Sequence, residues 1–155
     1  MDNYLTPTTV DDIVYIAPRL READRQECLA ATGREPLTVL LDGLRISDLT
    51  FTLRSPEGER IGLLGVAPSH LEGAGAIWLC ATTDIYKYQM AFLRRSKEFL
   101  PLLQKRYLVL HNCVDARNTV HIKWLKWMGF TFINKHEHYG AARLPFYEFV
   151  RIQNV

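Results

Sequence analysis

The run Arg60–Ala67, RIGLLGVA, most constrains what this chain can fold into. Beyond its opening arginine it has no polar side chain, so both faces of an extended segment would be apolar. Such a strand belongs in the middle of a sheet covered on both sides. Its glycines, Gly62 and Gly65, mark a bulge or close packing. LTFTLR before it alternates Leu49, Phe51 and Leu53 with Thr50, Thr52 and Arg54, the pattern of a half-buried strand, and SPEGE between them is a turn. PSHLEGAG reads as a loop and AIWLCA, residues 76–81, as the next strand.

The flanking segments read as helices. Tyr4–Thr6 is a short first strand, and Thr9 is an N-cap with Asp12 completing a capping box. Pro18 breaks the helix that Thr9 opens, so the pattern predicts one helical piece to Ala17 and a second from Pro18 to Thr32, stopped by Gly33. Pro36 opens a third helix whose Leu37, Leu40, Leu41 and Leu44 form one buried stripe. A long helix begins after Thr82-Thr83-Asp84 and ends near Arg106, with Tyr88, Phe92, Phe99 and Leu103 inward and Pro101 kinking it or splitting off its last turn. The strand YLVLHNC, a helix from Asn118 to Gly129, and an antiparallel pair, FTFINKH and FYEFVRI, complete the chain. Successive strands mixed with strand–helix–strand units predict a single α/β (α+β) domain over residues 1–155, a mixed, mostly antiparallel sheet with helices on both faces.

Composition narrows the function classes. The net charge of +2 gives no general drive toward nucleic acid. Cys28, Cys80 and Cys113 are odd in number and show no paired spacing, which argues against a disulfide framework or structural zinc. His136 and His138 share one strand face, but two histidines fall short of a zinc site. MDNYLTPTTVDD lacks the basic and apolar regions of a secretory signal, and no apolar run spans a bilayer. Cations recur in the long helix (Lys87, Arg94, Arg95, Lys97, Lys105, Arg106) and in the last one (Lys123, Lys126, beside Trp124 and Trp127). They read as a solvated face, or else as a surface for an anionic partner.

The stretch NTVHIKWLKWMGF, with NCVDARN before it, is similar to the last helix of the GNAT family, the Gcn5-related N-acetyltransferases. Asn118, Ile122, Gly129 and Phe130 fall at the family's spacing, and the order of elements agrees along nearly the whole chain. AIWLCATTD together with LVLHNCVDARNTVHIKWLKWMGFTFINKHEHYG also resembles the family of the T7 phage internal virion protein A. Trp78, Thr82, Thr83, Asp84, Asn118, His121, Ile122, Leu125, Gly129 and Phe130 carry that likeness.

The GNAT resemblance implies parallel fourth and fifth strands that splay apart, and a site for acetyl-CoA. The pyrophosphate would lie on backbone amides at the start of the long helix. Thr82, Thr83, Asp84, Ile85 and Lys87 stand there, without the family's glycines and with an acidic Asp84 facing the phosphates. Asn118 and His121 would flank the coenzyme, His121 in place of a small residue. The family's proton-donating tyrosine is Leu125 here, which cannot donate. Tyr139 and Tyr147 are the substitutes within the chain, and Glu72, near His70, is the candidate base. His111 on the fifth strand is a candidate for the cleft, or a core histidine.

Retained fold with weakened chemistry is therefore the expectation. The phage resemblance implies a virion-assembly protein of the host cytoplasm or the particle, with other virion proteins as partners. The alternative is an active acetyl-CoA-dependent N-acetyltransferase acting on a protein or small amine.

Overall fold

The computed structural model describes residues 4–153. The strands are β1 (Leu5–Pro7), β2 (Leu49–Arg54), β3 (Arg60–Pro68), β4 (Ala74–Ala81), β5 (Val109–Asp115), β6 (Thr131–Tyr139) and β7 (Leu144–Ile152). The helices are α1 (Val10–Ile16), α2 (Glu22–Thr32), α3 (Pro36–Ile46), α4 (Ile85–Arg106) and α5 (Thr119–Trp127). One sheet runs β1-β2-β3-β4-β5-β7-β6, antiparallel except where β4 meets β5.

The apolar run occupies β3 as its composition requires, with residues 61–67 all buried. Alternation sends Leu63 to one face, where it packs with Ile13, Ile16, Leu20, Leu40 and Cys80 under α1 and α3. Leu64 and Val66 face the other way, into a core with Ile77, Phe92, Phe99, Leu103 and Trp124 under α4 and α5.

Gly65 sits directly opposite Trp78 in the β3–β4 ladder. The indole lies over the bare backbone, held by a 2.9 Å hydrogen bond from its Nε1 to Ser47 Oγ. An added Cβ at Gly65 would come within 2.3 Å of the ring. Gly65→Ala is expected to cost roughly 1–3 kcal/mol, a fall of several degrees in a thermal melt. A melting temperature unchanged from wild type would refute the close packing.

The Thr9–Asp12 capping box, the left-handed Gly33 and Pro36 at the start of α3 match the sequence reading. Three elements differ from it. The second helix begins at Glu22 rather than Pro18: residues 17–19 form a 3-10 turn, and Leu20 and Arg21 are extended. Leu20 there makes a β-bridge with Thr82, so a tertiary backbone contact sets the break. Of the predicted leucine stripe of α3 only Leu40 is fully buried, while Leu37 is 42% exposed. Finally, α4 is not split at Pro101, because Phe99, Leu100 and Leu103 anchor the turns around it in the core.

Candidate functional site

β4 and β5 pair only over Ala74–Ala76 against Val109–His111. The side-chain amide of Asn112 makes the last link, donating to the Ile77 carbonyl at 2.8 Å. Beyond it the strands diverge, and their facing backbone groups need other partners. Residues 21–27 supply several of them. The Ala81 N–H donates to Asp24 Oδ2 at 2.9 Å, and the Ala81 carbonyl accepts from the Arg21 N–H at 2.9 Å. Across the gap, the Asp115 N–H donates to Glu27 Oε1 at 3.0 Å.

The mouth of this opening holds a buried polar cluster. Arg21, Asp24 and Asn118 are each no more than 3% exposed. Arg21 forks onto the Asp24 carboxylate at 3.1 and 2.5 Å. The Asn118 amide donates to Asp24 Oδ1 at 3.0 Å and to Glu27 Oε1 at 3.2 Å, and its Oδ1 accepts from Arg21 at 3.3 Å. The guanidinium lies 4.9 Å from the Trp124 ring and 5.8 Å from that of Tyr86. Arg21 thus stands between the first turn of α4 and the body of α5. Between the strands remains a cavity of about 60 Å³, lined by Glu27, Asn112, Cys113, His121 and otherwise mostly apolar side chains. His121 Nδ1 is buried without a hydrogen-bond partner, and burial holds the imidazole neutral by lowering its pKa to about 4.

On the α2–α3 side the opening widens into a groove of about 400 Å³, lined among others by Glu27, Cys28, Cys80, Cys113 and Tyr139. Burial raises the Glu27 carboxyl to about 8, helped by the charges of Asp24 and Asp115 and opposed by the hydrogen bonds it accepts. Burial, with Cys113 alongside, pushes Tyr139 up to about 12. Burial and the neighbouring Glu27 push the Cys28 thiol to about 12. The groove therefore presents neutral thiols, a neutral phenol and a carboxyl that holds its proton to the top of the physiological range.

The residues singled out in the sequence are divided among several places. Asn118 and His121 both reach the opening, but Asn118 is committed to Asp24 and Glu27. Thr82, Thr83, Asp84, Ile85 and Lys87 gather at the start of α4. Asp84 is the N-cap residue, but its side chain makes no capping bond; Thr82 Oγ1 accepts from the Asp84 N–H instead, at 3.3 Å. The amides of Ile85, Tyr86 and Lys87 donate to the carbonyls of Thr82, Thr83 and Asp84. Tyr139 lies in the groove. Tyr147 packs on the α4–α5 side, edge-on to Phe132. Glu72 is exposed in the loop before β4, at the closed end of the strand pair. His111 is also at that end, 2.8 Å from Ser69 Oγ. His136 is bonded to Glu148 at 2.8 Å, and no group of three or more metal-ligating side chains forms among the described residues.

Sequence reasoning missed Arg21, Asp24 and Glu27. Their one signal is spacing by three along α2, which is equally the pattern of a solvated helix face.

Solved structures place this architecture. Ard1 from Thermoplasma volcanium matches with a TM-score of 0.73 at 18% identity, over 97% of each chain. A GCN5-related N-acetyltransferase from Kribbella flavida matches at 0.68 and 13%, over 96% of each. The spermidine N-acetyltransferase from Vibrio cholerae, in complex with CoA and spermine, matches at 0.67 and 12%, over 96% of this chain and 94% of that one. The fold is that of the GNAT acetyltransferases. A family profile described as "Bacteriophage T7, probable scaffold protein Gp13" matches residues 71–137, from the loop before β4 into β6. No protein among the curated sequences matches the chain. No helix among the described residues is long and apolar enough to cross a membrane.

The GNAT fold implies acetyl-CoA, and the start of α4 does not fit its pyrophosphate. Four successive amides, those of residues 84–87, already have acceptors within the chain. The pocket between Asn112 and His121 is about 60 Å³, whereas the α2–α3 groove, at about 400 Å³, lies within the roughly 300–1,000 Å³ of ordinary ligand pockets.

Proposed function

We propose that this protein works in phage particle assembly through protein contacts, on an acetyltransferase fold whose coenzyme cleft is stopped by its own side chains. The observation that carries this reading is the Arg21–Asp24–Asn118 cluster filling the mouth between β4 and β5. The profile match over β4 to β6 supports the phage scaffold connection. On this reading the protein acts in the host cytoplasm, alongside other virion proteins or within the particle.

The test is a thermal melt with and without millimolar acetyl-CoA. No shift is expected. A ligand at 100 times its Kd would add about 2.7 kcal/mol, several degrees for a domain this size. A shift of that size, followed by CoA release with any amine, would overturn the closed-cleft reading. Detection of the chain in purified particles or assembly intermediates would bear directly on the assembly role.

A second reading, an active N-acetyltransferase, draws on the groove of about 400 Å³, where Glu27 and Tyr139 stand close to the strand opening. Glu27 would take a proton from an amine only in its ionised form, which its pKa of about 8 confines to mildly alkaline solution. On that reading Arg21 must swing out before the coenzyme enters, and Tyr139→Phe would lower turnover while leaving the fold intact.

A further inference from the structure

We infer that the outer face of α4 and α5 is a docking surface for an acidic protein segment that also carries apolar anchors. The inference deepens the assembly reading and rests on it for the choice of a protein as partner.

Charge is unevenly distributed along the chain. The two helices hold eight of the 19 Lys and Arg residues and only one of the 17 acids, Glu98, giving them a net +7. The remaining residues carry eleven cations against sixteen acids, a net −5. The overall +2 hides this separation. Segregation of charge onto one pair of adjacent elements creates a local field that the net value does not report.

The two helices form one continuous surface. Phe92 of α4 meets Trp124 of α5 edge-on at 5.5 Å. Outside that contact, Lys97 Nζ lies 5.5 Å from the ring of Trp127. Met90, Arg94 and Lys97 succeed one another at helical spacing on α4, as Lys123, Lys126 and Trp127 do on α5. Met90 is 55% and Trp127 44% exposed. Arg94, Lys97, Lys123 and Lys126 are exposed and make no ion pair among the described residues.

A merely solvated helix face has no need of an open methionine and tryptophan between its cations. Aromatic, Met and Arg side chains are enriched at protein interfaces, and tryptophan is a frequent anchor. The cations would steer an acidic partner to the face, and Trp127 with Met90 would hold its apolar side chains. A nucleic acid would find the same cations but would also meet a body of net −5.

The test titrates the full chain with two fluorescein-labelled peptides of equal length and charge, one of Glu-Glu-Phe-Leu repeats and one of Glu-Glu-Ser-Ser repeats. Single-stranded DNA of matched charge is the third probe. The apolar-acidic peptide is expected to bind at least about tenfold tighter than the polar one and to weaken as salt is raised. Joint Lys123→Glu and Lys126→Glu substitution should weaken it by about tenfold or more, and Trp127→Ser should remove the preference between peptides. These side chains are exposed, and an unchanged circular dichroism melt would verify folding of each variant. Equal affinity for the two peptides, tighter binding of the DNA, or indifference to the charge reversal would each overturn the inference. The acetyl-CoA melt tests the cleft and this titration tests the helix face, so either reading can fail while the other stands.

Discussion

Asp24→Ala is expected to lower stability by about 3–5 kcal/mol, which is the usual cost of leaving one partner of a buried ion pair alone. In a domain of this size that is a fall in melting temperature on the order of 10 °C. The carboxylate serves three groups at once: the Arg21 guanidinium, the Ala81 N–H and the Asn118 amide. Its loss strands a cation whose side chain is 3% exposed, takes the acceptor from the Ala81 N–H and leaves the Asn118 amide only Glu27. Removing both charges, by Arg21→Met with Asp24→Leu, should recover a large part of the loss, since a packed apolar pair rivals a buried ionic one. Chemical denaturation of both variants decides the matter. A single variant within about 1 kcal/mol of wild type would show that water reaches the cluster and that the mouth is not sealed.

Glu27→Gln should change the pH dependence of stability. The folded carboxyl titrates at about 8 against an ordinary 4.5. Because the folded value is raised, the associated stability is fully present below pH 4.5 and is lost as pH rises through 8. In that window the folded chain holds a proton that the unfolded chain has released. The loss reaches up to about 3 kcal/mol between mildly acid and mildly alkaline solution, less whatever the open side of the groove screens. Glutamine keeps an Oε1 for the Asp115 N–H and the Asn118 amide, so the variant should equal wild type near pH 5 and exceed it near pH 8. His121 contributes in the opposite sense, because its lowered pKa costs stability as pH falls below 6.5 toward 4, and it does so equally in both proteins. Parallel stability–pH curves for the two would contradict the raised carboxyl.

Most of the fold can be read from the chain because its signals are local. The apolar run of β3, the alternation of β2, the capping box at Thr9, and Pro36 and Gly33 at helix ends each act within a few residues. The elements that misled are those settled by distant partners. Pro18 suggested a helix start, yet the bridge from Leu20 to Thr82 holds the chain extended for two further residues. The entry to α4 is likewise fixed from a distance, since Thr82, which accepts from the Asp84 N–H, has its own backbone tied to Ile61. The site obeyed the same rule. A missing glycine and a leucine at residue 125 announced weakened coenzyme chemistry, since each is a local absence. The side chains that fill the space instead could not be read, because Arg21 and Asp24 meet Asn118 across more than ninety residues of chain.

Two parallel strands that part midway leave a wedge in the centre of a domain, and some material has to stop it. Here the polypeptide brings its own stopper, a turn of helix carried from the far end of the sequence. The diverging ends of β4 and β5 therefore share one support, and whatever loosens residues 21–27 loosens both walls of the wedge together.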